Sequence, residues 1–145
     1  MELLTKYLNS NKKKVFLGGT CAESTWREKL IPLLKINYFN PVVDDWTEEC
    51  ARKEIEERKT SDFCLYTITP NMKGVYSIAE VIDDSNKKPY ATVFCVLESY
   101  DGKSFDEQEM KSLNKVGEMV VRNGGKYFTN LNDVANYLNG FNKFE

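Results

Sequence analysis

The sequence predicts an α/β fold: a single doubly wound domain over residues 1–145, with a parallel five-stranded sheet and helices on both faces. Three observations carry this. Short apolar runs alternate with amphipathic stretches along the chain, the β-α-β pattern that implies parallel pairing through right-handed crossovers. Two runs, near residues 63–68 and 91–97, are rich in apolar and β-branched residues with little polar alternation, as strands covered on both faces must be. The 145 residues, 41% hydrophobic and 29% charged, suffice for one core that buries on the order of two thirds of the unfolded surface without a metal or disulfide.

Taken in order, the first strand is Lys14-Val15-Phe16-Leu17, ended by Gly18-Gly19-Thr20. A helix starts at Thr25, because Thr25 and Glu28 have capping-box spacing and Trp26, Leu30 and Leu33 then share a face. Pro32 inside that pattern predicts a kink or early stop. Tyr38-Phe39 and Val42-Val43 fit a short second strand, which Pro41 marks as an edge strand or irregular. Asp45 and Glu48 repeat the capping spacing ahead of a helix running through Glu54-Ile55-Glu56-Glu57-Arg58, whose exposed face is broad.

Phe63 to Ile68 forms the third strand, closed by Thr69-Pro70-Asn71. Tyr76 to Asp84 is a short helix with Ile78 and Ile82 inward, and Ala91 to Leu97 is the fourth strand, in a central position. After a polar loop, Ser104 and Glu107 match a capping box, and Met110, Leu113, Val116 and Val120 mark a long helix. Lys126-Tyr127-Phe128 is the last strand, and Asn130 caps a final helix carrying Val134, Tyr137 and Leu138.

The chain contains no histidine, which removes His-based triads, imidazole general bases and His-ligated zinc together. Acid–base chemistry must come from carboxylates, Tyr, Lys or Cys. The four cysteines (Cys21, Cys50, Cys64, Cys95) include no CxxC pair, so no metal site is expected, and Cys64 and Cys95 read as reduced core residues. A net charge of −2, from 20 Lys+Arg against 22 Asp+Glu, disfavours a polynucleotide partner, and Lys12-Lys13-Lys14 reads as a solvated end. The start Met-Glu-Leu-Leu-Thr-Lys has no apolar stretch after a basic head, and no segment reaches the ~18 apolar residues of a membrane span. The expectation is a cytoplasmic protein with no membrane partner.

In doubly wound sheets ligands bind at the carboxyl ends of the strands. Here those ends hold Gly18-Gly19-Thr20-Cys21, Asp44-Asp45-Trp46, Thr69 to Gly74 and Glu98-Ser99-Tyr100. Small residues, carboxylates and aromatic rings together suit a small polar ligand with a flat ring. Gly18-Gly19-Thr20 fits neither GxGxxG nor GxxxxGK[ST], so no nicotinamide cofactor or ATP is expected, and plain turn chemistry explains the two glycines equally well.

The order Val15-Phe16-Leu17-Gly18-Gly19-Thr20, Asn40-Pro41-Val42-Val43-Asp44-Asp45-Trp46, Ser61-Asp62, Ile68-Thr69-Pro70, Gly74 to Glu80 and Lys88-Pro89 resembles the nucleoside 2-deoxyribosyltransferase-like family over about Lys14 to Leu97. The resemblance implies a flavodoxin-like fold, a homo-oligomer, and cleavage of the N-glycosidic bond of a (deoxy)nucleoside or nucleotide without a cofactor. It also implies that Glu80, early in the helix after the third strand, is the nucleophile that carries the 2-deoxyribosyl group to another base or to water. Enzymes of that family usually carry an aspartate six residues before the nucleophile, where this chain has Gly74.

Within that picture Asp62 or Asp44 assists departure of the base, Ser77 orients Glu80 or binds sugar, and Trp46 and Tyr76 stack on the base. Gly18, Gly19 and Thr20 admit the sugar or a 5′ phosphate, and Pro70 and Gly74 belong to the same substrate-binding set. An oxocarbenium-like transition state needs only carboxylates, so the lack of histidine is no obstacle. Each residue also has a structural reading. Glu80 complements a helix dipole, Asp62 starts a strand or turn, Asp45 is an N-cap, and Trp46 packs on the core. The alternative function is a non-catalytic nucleotide-binding or sensor module.

Overall fold

In the computed structural model, which describes Leu3 and residues 12–21 and 24–142, five parallel strands form a sheet. They are β1 (Lys14–Gly19), β2 (Asn37–Phe39), β3 (Phe63–Ile68), β4 (Thr92–Val96) and, after a two-stranded hairpin of β5 (Ser99–Tyr100) and β6 (Lys103–Ser104), β7 (Lys126–Phe128). The spatial order β2-β1-β3-β4-β7 reverses direction at β1, so the switch point lies between β1 and β3. The helices are α1 (Trp26–Leu30), α2 (Glu48–Thr60), α3 (Tyr76–Lys87), α4 (Glu107–Arg122) and α5 (Leu131–Asn139).

The apolar character of β3 and β4 follows from period-two alternation into two cores. Phe63, Leu65, Val93, Cys95 and Leu97 join Val15 and Leu17 beneath Trp26 and Leu30 of α1 and Val134 and Leu138 of α5. Cys64, Tyr66, Ile68, Phe94 and Val96 join Phe16 on the opposite face, beneath Val81 of α3 and Leu113 and Val120 of α4. Helix α2 lies on this second face, since its Arg58 Nε donates to the Tyr66 hydroxyl at 2.8 Å. The doubly wound fold is therefore as the alternation predicts, and Cys64 and Cys95 are buried free thiols.

Several boundaries differ from expectation for identifiable reasons. Strand β1 continues through Gly18 and Gly19, which pair in register with Tyr66 and Thr67 instead of ending the strand. Thr25 precedes α1, but its hydroxyl meets the Tyr100 hydroxyl at 2.9 Å and caps nothing. Pro32 stops that helix as expected, in a 3-10 turn over Ile31–Leu33. Strand β2 is an edge strand ending at Phe39, and Val42 and Val43 lie exposed beyond it.

The N-cap of α2 is Thr47, whose hydroxyl accepts from Cys50 N at 3.2 Å; Asp45 is two residues too early. The capping box of α4 is Asp106 with Glu109, not Ser104 with Glu107. Asp101 and Gly102, both at positive φ, turn the chain so that Ser104 pairs with Ser99 in the hairpin. Asn130 does cap α5, accepting from Asp133 N at 2.8 Å.

Candidate functional site

Helices α2 and α3 both run back from the strand carboxyl ends along the same face, and a groove of about 590 Å³ lies between them. Ala51, Glu54, Ile55 and Arg58 line it from α2, and this 3-1-3 spacing is one helical face. Tyr76, Glu80, Asp83, Asp84 and Lys87 line it from α3, again on one face, and Trp46 enters from the loop before α2. Tyr76 and Trp46 are 74% and 65% exposed, so both rings stand free at the open groove.

Arg58 organises the floor. Its Nη2 donates to Asp84 Oδ1 at 2.8 Å and to Asp83 Oδ2 at 3.3 Å, and its Nε lies 3.6 Å from Glu80 Oε2. The Tyr66 hydroxyl donates to Asp84 Oδ2 while accepting from Arg58 Nε, so Tyr66 and Asp84 together fix the guanidinium. Burial works against the Arg58 charge, but Tyr66 and Asp84 outweigh it and raise its pKa above the ordinary value. Burial raises the Tyr66 phenol, which stays neutral and can donate.

The Glu80 side chain is only 16% exposed. Burial holds its carboxyl above the usual range; Arg58 opposes this, and Glu54, Asp84 and Asp83 reinforce it. A half-buried carboxylate beside two free aromatic rings can engage a positive centre on a molecule that also carries a flat ring.

Of the residues singled out from sequence, the groove brings together Glu80, Trp46 and Tyr76. Gly18, Gly19, Thr20 and Pro70 lie at the carboxyl ends of β1 and β3. There a Cβ on Gly18 would meet the Tyr66 ring at 2.8 Å, and one on Gly19 would meet Thr67 O at 2.1 Å. Thr20 Oγ1 accepts from Thr69 N at 3.0 Å. Its carbonyl accepts from Trp26 Nε1 and from buried Arg27, which also holds Leu17 O. Burial lowers the Arg27 pKa. These contacts give Gly18, Gly19 and Thr20 structural duties that a sugar or phosphate is not required to explain.

Asp44 is exposed in the bend after β2, Gly74 is exposed with nothing near its Cβ position, and Ser77 is half-buried in the first turn of α3; none lines the groove. Asp62 precedes β3, at the amino ends of the strands. Its Oδ2 accepts from Lys14 N at 2.8 Å and its Oδ1 lies 3.9 Å from Lys13 Nζ. The fold thus separates Asp62 from the Glu80 groove.

Sequence reading missed Glu54, Arg58, Tyr66 and Asp84. The signal for the first two was present in the Ala51-Glu54-Ile55-Arg58 face, which matches a helix that lines something. Tyr66 and Asp84 carry no local signal, because their roles exist only once α2 and α3 meet over β3. Among the described residues no group of three or more Cys, Asp or Glu is placed to hold a metal ion, and no helix is long and apolar enough to cross a membrane.

No curated protein and no solved structure matches the chain. A family model described as nucleoside 2-deoxyribosyltransferase like matches residues 12–100, a span that contains β1 to β4 and both walls of the groove. The chain belongs to the nucleoside 2-deoxyribosyltransferase-like family.

Proposed function

We propose that this protein acts on the N-glycosidic bond of a (deoxy)nucleoside or nucleotide, with the α2/α3 groove as the site and Glu80 as nucleophile. The observation that carries this reading is the half-buried Glu80 carboxylate sharing an open groove with the exposed rings of Trp46 and Tyr76. In the proposed cycle a ring rests against Trp46 and Tyr76, and a Glu80 oxygen attacks the anomeric carbon as the base departs. Attack by another base or by water then releases the sugar and regenerates the carboxylate. Arg58 supports the second half of the cycle, because a held cation favours the carboxylate as it leaves the anomeric carbon.

The test is incubation with a panel of deoxynucleosides and deoxynucleotides, with and without an acceptor base, following free base by chromatography. Base release by the wild type that is lost in Glu80→Ala is the expected result. No release, or equal release by the variant, overturns the reading. One observation favours a second reading, a binding or sensor module: Arg58 already engages Glu80, which damps its nucleophilicity. Tight calorimetric binding with intact nucleotide recovered is the outcome that selects it.

A further inference from the structure

We infer that Glu54 is the second acid of this groove, donating a proton to the departing base and later taking one from the incoming acceptor; this rests on the glycosidic reading of Glu80. The geometry starts from Arg58, which reaches Glu80, Asp83 and Asp84 and so sets which turns of α2 and α3 are level. Glu54 lies one turn before Arg58 on α2, about 6 Å nearer the helix start. Both helices run in the same direction from the strand carboxyl ends, so that step places Glu54 across from the stretch between Tyr76 and Glu80. It lies on the lined face with Ala51, Ile55 and Arg58 and is half-buried.

The other acids of the groove are committed. Asp84 is held by Tyr66 and Arg58, and Asp83 by Lys87 at 2.9 Å and by Arg58. Among the described residues no hydrogen bond or ion pair engages the Glu54 carboxylate. It is the acid left free to exchange a proton. Glu80 lies near enough to feel the Glu54 charge, which joins burial in holding the Glu80 carboxyl above the usual range.

The step balances without a further reactant. The C1′–N bond breaks with its electron pair going to the base nitrogen, which takes the Glu54 proton, while a Glu80 oxygen forms the bond to C1′. In the second half a water or acceptor base gives its proton to the Glu54 carboxylate and attacks C1′, and the Glu80 carboxylate leaves.

The test compares wild type, Glu54→Gln and Glu80→Ala on two kinds of leaving group. One is the deoxynucleoside or deoxynucleotide that the wild type cleaves best. The other is 4-nitrophenyl 2-deoxyriboside, offered with and without a 5′ phosphate, whose leaving group departs without protonation. Glu54→Gln is expected to slow base release about 10²–10³-fold while slowing the burst of nitrophenolate less than about tenfold; Glu80→Ala loses both. If Glu54→Gln slows both leaving groups alike, or neither, Glu54 is not the proton donor and the reading of Glu80 stands. If the wild type releases no base from any substrate, the glycosidic reading falls and this inference with it. Circular dichroism of Glu54→Gln verifies that the half-buried helix position tolerates the change.

Discussion

Replacing Gly19 by alanine separates a structural from a ligand-facing role for the two glycines of β1. The residue sits at φ +117°, a region that side-chain-bearing residues enter at a cost of about 1–3 kcal/mol. A Cβ there lies 2.1 Å from Thr67 O and 2.5 Å from Thr67 N, both backbone atoms of the neighbouring strand. Relief requires parting β1 from β3 at this point, where Thr20 N donates to Thr67 O at 2.9 Å, and each ladder bond lost costs roughly 1 kcal/mol. The sum is about 2–4 kcal/mol out of a total stability of roughly 5–15 kcal/mol. In a domain of this size that lowers the melting midpoint by roughly 5–15 °C.

Gly18→Ala is expected to cost less, about 1–3 kcal/mol, since its Cβ meets a Tyr66 ring whose hydroxyl is tied to Asp84 and Arg58. Gly74→Ala meets nothing within 4 Å and is expected to fall within about 1 kcal/mol of wild type. Urea unfolding of the three variants is the assay. If Gly19→Ala unfolds within about 1 kcal/mol of wild type, the close approach of β1 to β3 is not what demands glycine there.

Four further outcomes follow from the same contacts. Tyr66→Phe removes a buried hydroxyl that bridges two charged groups, so it is expected to cost about 1.5–3 kcal/mol by urea unfolding, and an unchanged midpoint contradicts the bridge. Asp106→Ala is expected to cost about 1 kcal/mol through loss of the α4 cap and Ser104→Ala well under that, measured by thermal melts; the reverse order restores the sequence-based cap. Asp62→Asn is expected to leave base release within about twofold of wild type, because Asp62 lies at the amino ends of the strands; a large loss contradicts that separation. Glu80 is an acid whose folded pKa is raised, so the folded state binds its proton more tightly, and its contribution to stability is full below the unfolded pKa and is lost as pH rises through the folded one. Glu80→Gln is therefore expected to be more stable than wild type at neutral pH, with the gap closing as pH falls below the ordinary carboxylate range; a variant less stable at neutral pH contradicts the burial cost.

Strands β3 and β4 were legible because burial on two faces leaves a run with almost no polar position, and nothing in a soluble loop imitates it. Helix caps were less legible because capping spacing recurs by chance wherever Ser, Thr and Asp precede Glu. Thr25 and Ser104 have the spacing, yet the hydroxyl of each is taken by a residue of the hairpin, Tyr100 and Ser99. That hairpin had its own signal in Asp101-Gly102, a pair suited to positive φ at both central positions. In the groove, Trp46 was legible from its place after a strand, while Glu80 and Tyr76 were singled out only through the family resemblance. Arg58 was hidden in a segment that reads as a solvated helix face, and Tyr66 in one that reads as core. Their partnership with Asp84 depends on how α2 settles against α3, which no local spacing encodes.

The way α2 is attached explains why the groove stays open. This helix has no fully buried residue, and its Ile55 is 69% exposed, so apolar burial does not hold it against α3. The attachment runs instead through Arg58 to Tyr66, Glu80, Asp83 and Asp84. Such half-buried ionic contacts are a weak source of stability: replacing them wholesale by apolar side chains is often neutral or favourable, whereas removing the Arg58 guanidinium alone strands the buried Asp84 carboxylate at about 3–5 kcal/mol. An apolar α2–α3 contact would therefore serve the fold at least as well, but it would bring Ile55 down onto α3 and close the groove that Glu54 and Glu80 line. Arg58 spans from α2 to α3 instead, and the groove lined by Trp46, Tyr76, Glu54 and Glu80 stays open.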